Sequence, residues 1–430
     1  MIEHPVSYLT ASSIYEVNLR QYTVEGTICA FIPHLPRLKA MGIEILWFMP
    51  LTPISNKNRK GILGSYYAAS DYMSINPEYG EEQDFKNLIT QSHKLGLKVI
   101  IDWVANHTGW DHTWTHSNPE YYLKDQNGNF TERNGWEDVI DLDYTRDDMR
   151  LAMINSMAYW IKEYGIDGFR CDMAMLVPLD FWRQARTGLD QIKPMLWLAE
   201  CEDTNYFQVF DVMYAWEWMH RTRAVAQGHA DRSSLEQLLH YYAERKKYPK
   251  RFLYFTSNHD ENSWNGTEYE RYGSLSMSFA ALSILLADGI PLIYSGQELP
   301  LYHRLNFFDK DEIPWGTEEP GLHKFYACLL NLRNQNKWYN NNKSYVYTVN
   351  ALTQDIRIFS LNIGHHGDED IIALFNLSGD LVHFELENII VGGSYTNVLT
   401  GNEQMINSQT SALLNAFEFR IYVRNSQLHD

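Results

Sequence analysis

Residues 81–107 read EEQDFKNLITQSHKLGLKVIIDWVANH and contain one helix and one strand in succession. The first part begins with two acidic residues and ends at Gly96, and its apolar residues Phe85, Leu88 and Ile89 recur at helical spacing. Acidic residues favour the start of a helix, and glycine favours its end. The apolar run at 99–104 is short and rich in β-branched residues, which is typical of a buried strand. This stretch therefore predicts an amphipathic helix followed directly by a strand.

The same alternation of strand-like runs and helical segments continues along most of the chain. Eight such runs follow one another at intervals of about 40 residues, which is the length of a strand plus a crossover helix. Eight units of this kind predict a (β/α)8 TIM barrel, an α/β fold. The predicted strands lie at 13–19, 44–50, 99–104, 167–172, 196–200, 209–214, 252–258 and 291–296.

Two segments depart from a minimal barrel. Residues 108–145 have no helical period and contain the turn signal Asp125-Gln126-Asn127-Gly128, which predicts a short insertion after the third strand. From about residue 345, apolar and polar residues alternate, which predicts a C-terminal antiparallel β-sandwich. The predicted domains are the barrel at 1–107 and 146–342, the inserted subdomain at 108–145 and the sandwich at 343–430.

The charge and cysteine content argue against several classes of function. Of 430 residues, 54 are acidic and 36 are Lys or Arg, so the formal charge is −18. Nucleic acids and anionic membranes are bound by basic faces, so neither partner is expected and a neutral ligand is favoured. The four cysteines have no C-x-x-C spacing, which indicates reduced thiols. The chain start lacks a signal-peptide pattern and no apolar run suits membrane insertion, so a cytoplasmic location is expected, or a periplasmic or secreted one if a signal was removed.

Charged residues occur at the ends of predicted strands, where a TIM barrel holds its active site. The fourth predicted strand ends with Arg170 and Asp172, and the fifth ends with Glu200. A buried charge costs several kcal/mol unless it is paired or functional, so these residues are candidates for catalysis. Because side chains alternate along a strand, Arg170 and Asp172 share the barrel interior, where Arg170 can keep Asp172 ionised.

Four motifs in order resemble those of the α-amylase family, glycoside hydrolase family 13. They are Asp102-x-x-x-Asn106-His107, Gly168-Phe169-Arg170-x-Asp172, Glu200 and Asn258-His259-Asp260. Asp141-Leu142-Asp143 is similar to a fifth motif, and the stretch from Tyr67 to Gly80 is similar to the segment before the family's second barrel helix. The motifs lie in order at predicted strand ends, and the resemblance covers nearly the whole chain.

The resemblance implies a retaining hydrolase that cleaves α-1,4-glucosidic bonds in starch, glycogen or maltooligosaccharides. By similarity, Asp172 is the nucleophile, Glu200 is the general acid/base, and Asp260 binds sugar hydroxyls and stabilises the transition state. The residues implied to orient the nucleophile or to contact the sugar are Tyr67, His107, Arg170 and His259. The chemistry requires no cofactor, and the implied partner is a neutral α-glucan.

Three further residues are candidates with narrower roles. Trp264, four residues after Asp260, is a candidate floor for a sugar subsite, and Arg304 is a candidate contact at the rim. Asn106 resembles a metal-ligating asparagine of the family, so a structural calcium ion there is a hypothesis. The sequence departs from the pattern at 175 and 176, where Met and Leu replace the Lys-His pair of many α-amylases, whose histidine carbonyl binds calcium.

Related activities remain open on the same residues. An α-glucosidase, a cyclodextrin- or pullulan-degrading amylase and an α-glucan transglycosylase would all use these carboxylates. The loop at 21–26 lacks the D-x-N-x-D run of oligo-1,6-glucosidase relatives, which favours an α-amylase-like glucanase. A non-catalytic binding protein on the same barrel would have lost the three carboxylates, whereas Asp172, Glu200 and Asp260 are all present. The sequence predicts neither endo nor exo action, nor the oligomeric state.

Overall fold

The computed structural model describes residues 13–245, 250–287, 289–335, 345–365, 370–389 and 392–425. Eight parallel strands close into a barrel, which confirms the predicted TIM-barrel fold, and each overlaps a predicted run. The first ten strands are β1 (Ile14–Val17), β2 (Ile45–Phe48), β3 (Lys98–Trp103), β4 (His107–Gly109), β5 (Val139–Asp141), β6 (Gly168–Cys171), β7 (Leu196–Ala199), β8 (Val212–Tyr214), β9 (Arg251–Tyr254) and β10 (Gly289–Tyr294). All except β4 and β5 belong to the barrel, which closes between β10 and β1.

The helices begin and end where the local sequence favours it. At the start of the helix predicted from 81, the backbone N–H of Glu81 donates to Asp84 Oδ2 at 2.8 Å. The helix that ends at Tyr164 is followed by Gly165, whose φ of 71° is left-handed and suits glycine. The α-helices are α1 (Leu19–Tyr22), α2 (Ile28–Phe31), α3 (Leu35–Met41), α4 (Glu82–Lys94), α5 (Thr113–Ser117), α6 (Asp147–Tyr164), α7 (Leu179–Leu189), α8 (Trp216–Ala226), α9 (Arg232–Arg245), α10 (Glu268–Tyr272), α11 (Ser276–Leu285) and α12 (His323–Gln335).

Side chains along each barrel strand point alternately into the barrel interior and outward to the layer beneath the helices. Ile14, Ile100 and Leu198 belong to a buried cluster inside the barrel, whereas their neighbours in sequence pack outward. Two residues further along β1 and β3, the same interior face carries Glu16 and Asp102. The interior is therefore apolar in its lower part and charged at the carboxyl ends of the strands.

The segment between β3 and β6 forms a small antiparallel unit. β4 pairs with β5, so that His107 lies opposite Asp141. Within the predicted turn, the backbone N–H of Asp125 donates to the carbonyl of Asn129 at 2.9 Å, and Gly128 has a φ of 83°. The insertion thus begins and ends beside the carboxyl end of β3.

The strands after the barrel form antiparallel sheets, as predicted for the C-terminal region. Six pair in the order β11, β12, β13, β18, β15, β16, and β14 pairs with β17, where these strands are β11 (Tyr345–Val349), β12 (Ile358–His365), β13 (Ile371–Asn376), β14 (Val382–Glu385), β15 (Gly393–Asn397), β16 (Glu403–Ile406), β17 (Ser411–Leu414) and β18 (Phe419–Arg424). Leu374, Phe384 and Leu414 belong to one buried cluster, so the two sheets pack face to face.

None of the helices in the described ranges combines the length and the apolar character that a membrane span requires.

Candidate active site

A cleft of about 400 Å³ lies at the carboxyl ends of the barrel strands. Six of the predicted residues line this cleft directly: Tyr67, His107, Asp172, Glu200, Asp260 and Trp264. Two more, Arg170 and His259, are buried within hydrogen-bond distance of these lining residues. The structure therefore brings eight of the predicted catalytic and binding residues to one place.

Arg170 is fully buried and lies at the centre of the site. Its Nη1 lies 3.0 Å from Asp102 Oδ1 and 3.1 Å from Asp172 Oδ1. Its Nη2 lies 3.0 Å from Glu200 Oε2, and its Nε donates to the Tyr214 hydroxyl at 3.2 Å. One guanidinium thus contacts three carboxylates and compensates their charge where water is excluded.

Asp172 and Glu200 are buried together around the guanidinium of Arg170. Asp172 is 7% exposed and Glu200 is 5% exposed. Burial and the nearby charge of Glu200 raise the pKa of Asp172 well above its ordinary value, while Arg170 acts to lower it. Burial beside Glu200 therefore disfavours the ionised form of Asp172, and the contact with Arg170 opposes this effect.

Met173, directly after Asp172, has a left-handed backbone. Its φ is 39°, a conformation that few residues other than glycine adopt. Its N–H donates to Glu200 Oε2 at 2.9 Å, and the next N–H, of Ala174, donates to the Glu200 carbonyl at 3.2 Å. This strained turn links the ends of β6 and β7 and holds Glu200 in place relative to Asp172.

Asp260, His259 and Tyr67 form a second group in the site. His259 Nε2 lies 3.2 Å from Asp260 Oδ2 and 2.8 Å from the Tyr67 hydroxyl, which donates to Asp102 Oδ2 at 3.0 Å. The rings of Tyr67 and His259 stack with centroids 5.4 Å apart. Desolvation acts to raise the pKa of Asp260, but His259 outweighs it and the pKa lies below its ordinary value. Asp260 is therefore ionised at neutral pH.

His107 is a neutral hydrogen-bond donor in the cleft wall. Its Nδ1 lies 3.1 Å from the side-chain nitrogen of Asn106, which can only donate, so Nε2 carries the ring proton. Burial lowers the pKa of His107 to about 4. The His107 ring also contacts Trp136 of the inserted segment, with centroids 5.4 Å apart. His107 thus offers an N–H group without adding charge.

The contacts of Asn106 do not fit the hypothesised calcium ion. Its amide nitrogen, rather than its oxygen, faces Asp141 Oδ1 at 3.5 Å. Asp141 Oδ2 accepts a hydrogen bond from Arg133 Nε at 2.7 Å, so this buried carboxylate already has a cationic partner. In the part of the chain that the structure describes, no three His, Cys, Asp or Glu side chains are grouped to hold a metal. The calcium hypothesis therefore finds no support in the donor set.

Trp264 extends the aromatic wall of the cleft. It is 52% exposed, and its ring lies 5.2 Å from that of Phe307 and 5.6 Å from that of Phe308. Phe307 in turn stacks on Tyr67, with centroids 6.4 Å apart. Rings with exposed faces suit the apolar faces of sugars.

Arg304 is not brought into the cleft. Its Nε and Nη2 each lie 2.9 Å from a carboxylate oxygen of Glu270, and both side chains are half exposed. Arg304 is not among the residues that line the cleft, and this bidentate pair engages its guanidinium. The prediction of a substrate contact by Arg304 is therefore not supported by the geometry.

Comparison with known proteins agrees with this geometry. The chain matches the family model of the α-amylase catalytic domain at residues 12–137 and 118–344. The chain belongs to the α-amylase family. This membership confirms the resemblance stated from the motifs and assigns the chain to the glycoside hydrolases.

Individual α-amylase family members are similar over much of the chain. A maltogenic α-amylase, AmyB, from Thermotoga neapolitana is 30% identical, with a TM-score of 0.87 over 96% of this chain and 98% of that one. Alpha-amylase MalA from Haloarcula japonica is 25% identical over 75% of this chain and 48% of that protein, so the chain spans about half of that relative. A 4-alpha-glucanotransferase from Thermotoga neapolitana is 27% identical over 65% of this chain and 69% of that protein.

The sequence reasoning missed parts of the site. Phe307 and Phe308 lie in a loop after β10, far along the chain from the motifs, and Trp136 lies in the inserted segment; no periodicity marks these three residues. The strained backbone of Met173 has no sequence signal either. Glu16 could have been found, because it is an acidic residue at an interior position of the otherwise apolar strand β1.

Proposed function

We propose that the chain is a retaining glycoside hydrolase that cleaves α-1,4-glucosidic bonds in starch, glycogen or maltooligosaccharides. The observation that carries this proposal is that Asp172 and Glu200 contact the two terminal nitrogens of the same guanidinium in one cleft. Such closeness suits the separation of roughly 5–5.5 Å that retaining enzymes need between nucleophile and acid.

In the first step, Asp172 attacks the anomeric carbon while Glu200 protonates the leaving glycosidic oxygen. Arg170 holds Asp172 Oδ1, so Oδ2 is the oxygen that forms the bond to the sugar. Glu200 Oε2 accepts the Met173 N–H, so Oε1 carries the proton that is transferred. The step breaks the glycosidic bond and leaves a covalent glycosyl-enzyme on Asp172.

In the second step, Glu200 is ionised and removes a proton from water, which attacks the anomeric carbon and releases Asp172. Two inversions at this carbon give net retention of the α configuration. Asp260, which is ionised, stabilises the positive charge that develops on the sugar ring in both steps. The Nε2–H of His107 and the ring of Tyr67 hold the sugar from its sides.

Three observations support a neutral glucan as the substrate class. The chain has a formal charge of −18 and the cleft is built around carboxylates, which disfavours anionic ligands. Trp264, Phe307 and Tyr67 supply ring faces along the cleft. The relative from Thermotoga neapolitana at 30% identity is named as a maltogenic α-amylase.

Product analysis over time tests the proposal. The substrates are soluble starch, maltoheptaose, maltoheptaose blocked at its non-reducing end, pullulan and a cyclodextrin. Release of maltooligosaccharides from maltoheptaose is the expected result, and cleavage of the blocked form would establish internal attack. Glucose as the sole early product, with the blocked form intact, would instead indicate an α-glucosidase. A protein that releases no reducing sugar from any of these substrates would contradict the proposal.

Transfer to a second sugar is the alternative activity, and the similarity to a 4-alpha-glucanotransferase favours testing it. Both reactions form the same glycosyl-enzyme, and they differ in whether water or a sugar hydroxyl attacks it. Products longer than maltoheptaose in the same assay would show transfer. Hydrolysis alone gives only shorter products.

A further inference from the structure

Glu16 is a buried carboxylate whose main contact is a histidine of the proposed site. It lies on β1, facing the barrel interior, and is fully buried. Its Oε1 lies 2.5 Å from Nδ1 of His259, and its Oε2 has no hydrogen-bond partner among the described residues. A buried carboxylate is costly unless a charge compensates it, so the short contact to His259 has to supply that compensation.

The second nitrogen of the His259 ring also faces oxygen atoms. Its Nε2 lies 3.2 Å from Asp260 Oδ2 and 2.8 Å from the Tyr67 hydroxyl. The Tyr67 proton is already directed at Asp102 Oδ2, so this hydroxyl is left to accept from His259. Asp260 is ionised and cannot donate, so Nε2 carries hydrogen, and Nδ1 carries hydrogen as well when Glu16 is ionised.

The charges around the pair agree with this protonation state. Burial acts to lower the pKa of His259, but Asp260 and Glu16 outweigh it and raise the pKa well above its ordinary value. Burial outweighs His259 and Arg170 and leaves the pKa of Glu16 above its ordinary value, so the ionised form of Glu16 depends on the charge of His259 beside it. The other titratable groups that interact with the pair are Tyr67, Asp102, Tyr214 and Tyr294.

We propose that Glu16 is a positioning residue that keeps His259 doubly protonated and fixes its ring, so that Nε2–H donates into the site beside Asp260. This inference rests on the proposed function, because the N–H group is aimed where a sugar hydroxyl would bind. His259 in this state also keeps the Asp260 carboxylate ionised. Glu16 therefore acts on the substrate only through His259.

Replacing Glu16 by Gln separates the charge from the shape of the side chain. Glu16→Gln keeps the volume and removes one of the two anionic partners, so the pKa of His259 falls toward its ordinary value. The ring then loses its second proton at lower pH than in the wild type. The expected kinetic result is that the alkaline limb of the kcat/KM profile moves to lower pH.

The first test reads the ring directly, without substrate. Histidine-labelled full-length protein is titrated by NMR, and the His259 signals are assigned by their loss in His259→Asn. In the wild type the ring is expected to stay doubly protonated at and above neutral pH, and in Glu16→Gln to titrate at least roughly one pH unit lower. A neutral His259 ring at pH 7 in the wild type would overturn the proposal, even if Glu16→Gln failed to fold. Because no turnover is measured, this result is independent of the proposed hydrolase activity.

The second test is the pH profile on maltoheptaose. Between pH 6 and pH 8.5, kcat/KM of Glu16→Gln is expected to fall several-fold more than that of the wild type, because the His259 ring of the variant loses its second proton at lower pH. Glu16→Asp keeps the charge and should restore the wild-type alkaline limb. Glu298→Gln is the matched control, because Glu298 is an equally buried carboxylate that contacts Tyr15 and Arg37 instead. Equal alkaline limbs in Glu16→Gln and the wild type would overturn the proposal.

Discussion

The two ends of the barrel interior are built from the same strands and have opposite character. The lower end is filled by apolar side chains such as Ile14, Ile100 and Leu198, all fully buried. Two residues further along the same strands, the interior positions carry Glu16, Asp102 and Glu200. Because side chains alternate along the strands, the interior positions form a packed apolar core at one end of the barrel and a network of charged groups at the other.

The apolar end of the interior contributes mainly to the stability of the fold, and the charged end contributes mainly to the proposed chemistry. Apolar burial at the lower end favours folding in proportion to the area removed from water. The charged end removes ions from water, and Arg170 with its three carboxylates compensates that cost without a large net gain. Substitutions at the two ends are therefore expected to change different quantities.

The largest expected effect is on catalysis at the charged end. Asp172→Asn removes the nucleophile and Glu200→Gln removes the acid/base, so each should lower kcat on maltoheptaose by roughly 10³-fold or more. The melting temperature should change little or rise, because each variant removes a crowded buried charge. Asp180→Asn, on the exposed surface of α7, is the control and should keep parental activity. Parental turnover in either site variant would contradict the assigned roles.

The next effect is on stability at the apolar end. Leu198→Ala leaves a cavity in the interior of β7 and should lower the free energy of unfolding by about 2–5 kcal/mol, measured in urea. Activity per folded molecule should stay within a few-fold of the parent. Leu151→Ala is the matched control, because Leu151 is 56% exposed on α6 and should cost less than about 0.5 kcal/mol. A stable but inactive Leu198→Ala variant would show that the two ends are not separable.

His107 should make the charged end sensitive to acid. Its folded-state pKa of about 4 lies below its unfolded value, so its contribution to stability is complete above roughly pH 6.5 and is lost as the pH falls toward 4. The loss amounts to about 3 kcal/mol for this buried ring. Unfolding in urea between pH 7 and pH 4.5 measures it, and His107→Asn should lose less stability over this range. Parallel pH dependence in the two proteins would exclude a buried neutral ring at 107.

The smallest effect concerns the edge of the charged end, where Arg133 pairs with Asp141. Arg133→Ala leaves Asp141 buried without its cationic partner and should cost about 1–2 kcal/mol, less than a fully buried pair because Arg133 is 58% exposed on its side chain. Arg133→Lys keeps the charge and should lose less stability, measured as the free energy of unfolding in urea.

A strong chelator should leave the wild-type melting temperature unchanged. A drop of several degrees that calcium alone restores would instead support a calcium site.

Most of the fold could be predicted because its signals are local. The unit at 81–107 contains its own helix start, apolar period and glycine stop, and α4 and β3 form where these signals lie. The motifs at Asp172, Glu200 and Asp260 could be found because the active site of a TIM barrel lies at the carboxyl ends of its strands, which the sequence pattern locates. Phe307 and Trp136 could not, since loops approach the cleft through contacts that leave no local pattern. The position of Arg304 along the chain does not reveal its ion pair with Glu270, which depends on tertiary structure.

Trapping the proposed glycosyl-enzyme tests the role of Asp172 most directly. The protein and its Glu200→Gln variant are incubated with 5-fluoro-α-D-glucosyl fluoride, digested and analysed by mass spectrometry. The expected result is a covalent sugar on the peptide that contains Asp172, attached to the Asp172 side chain itself. A sugar attached to another residue, or an initial β-configured product from maltoheptaose by NMR, would contradict it.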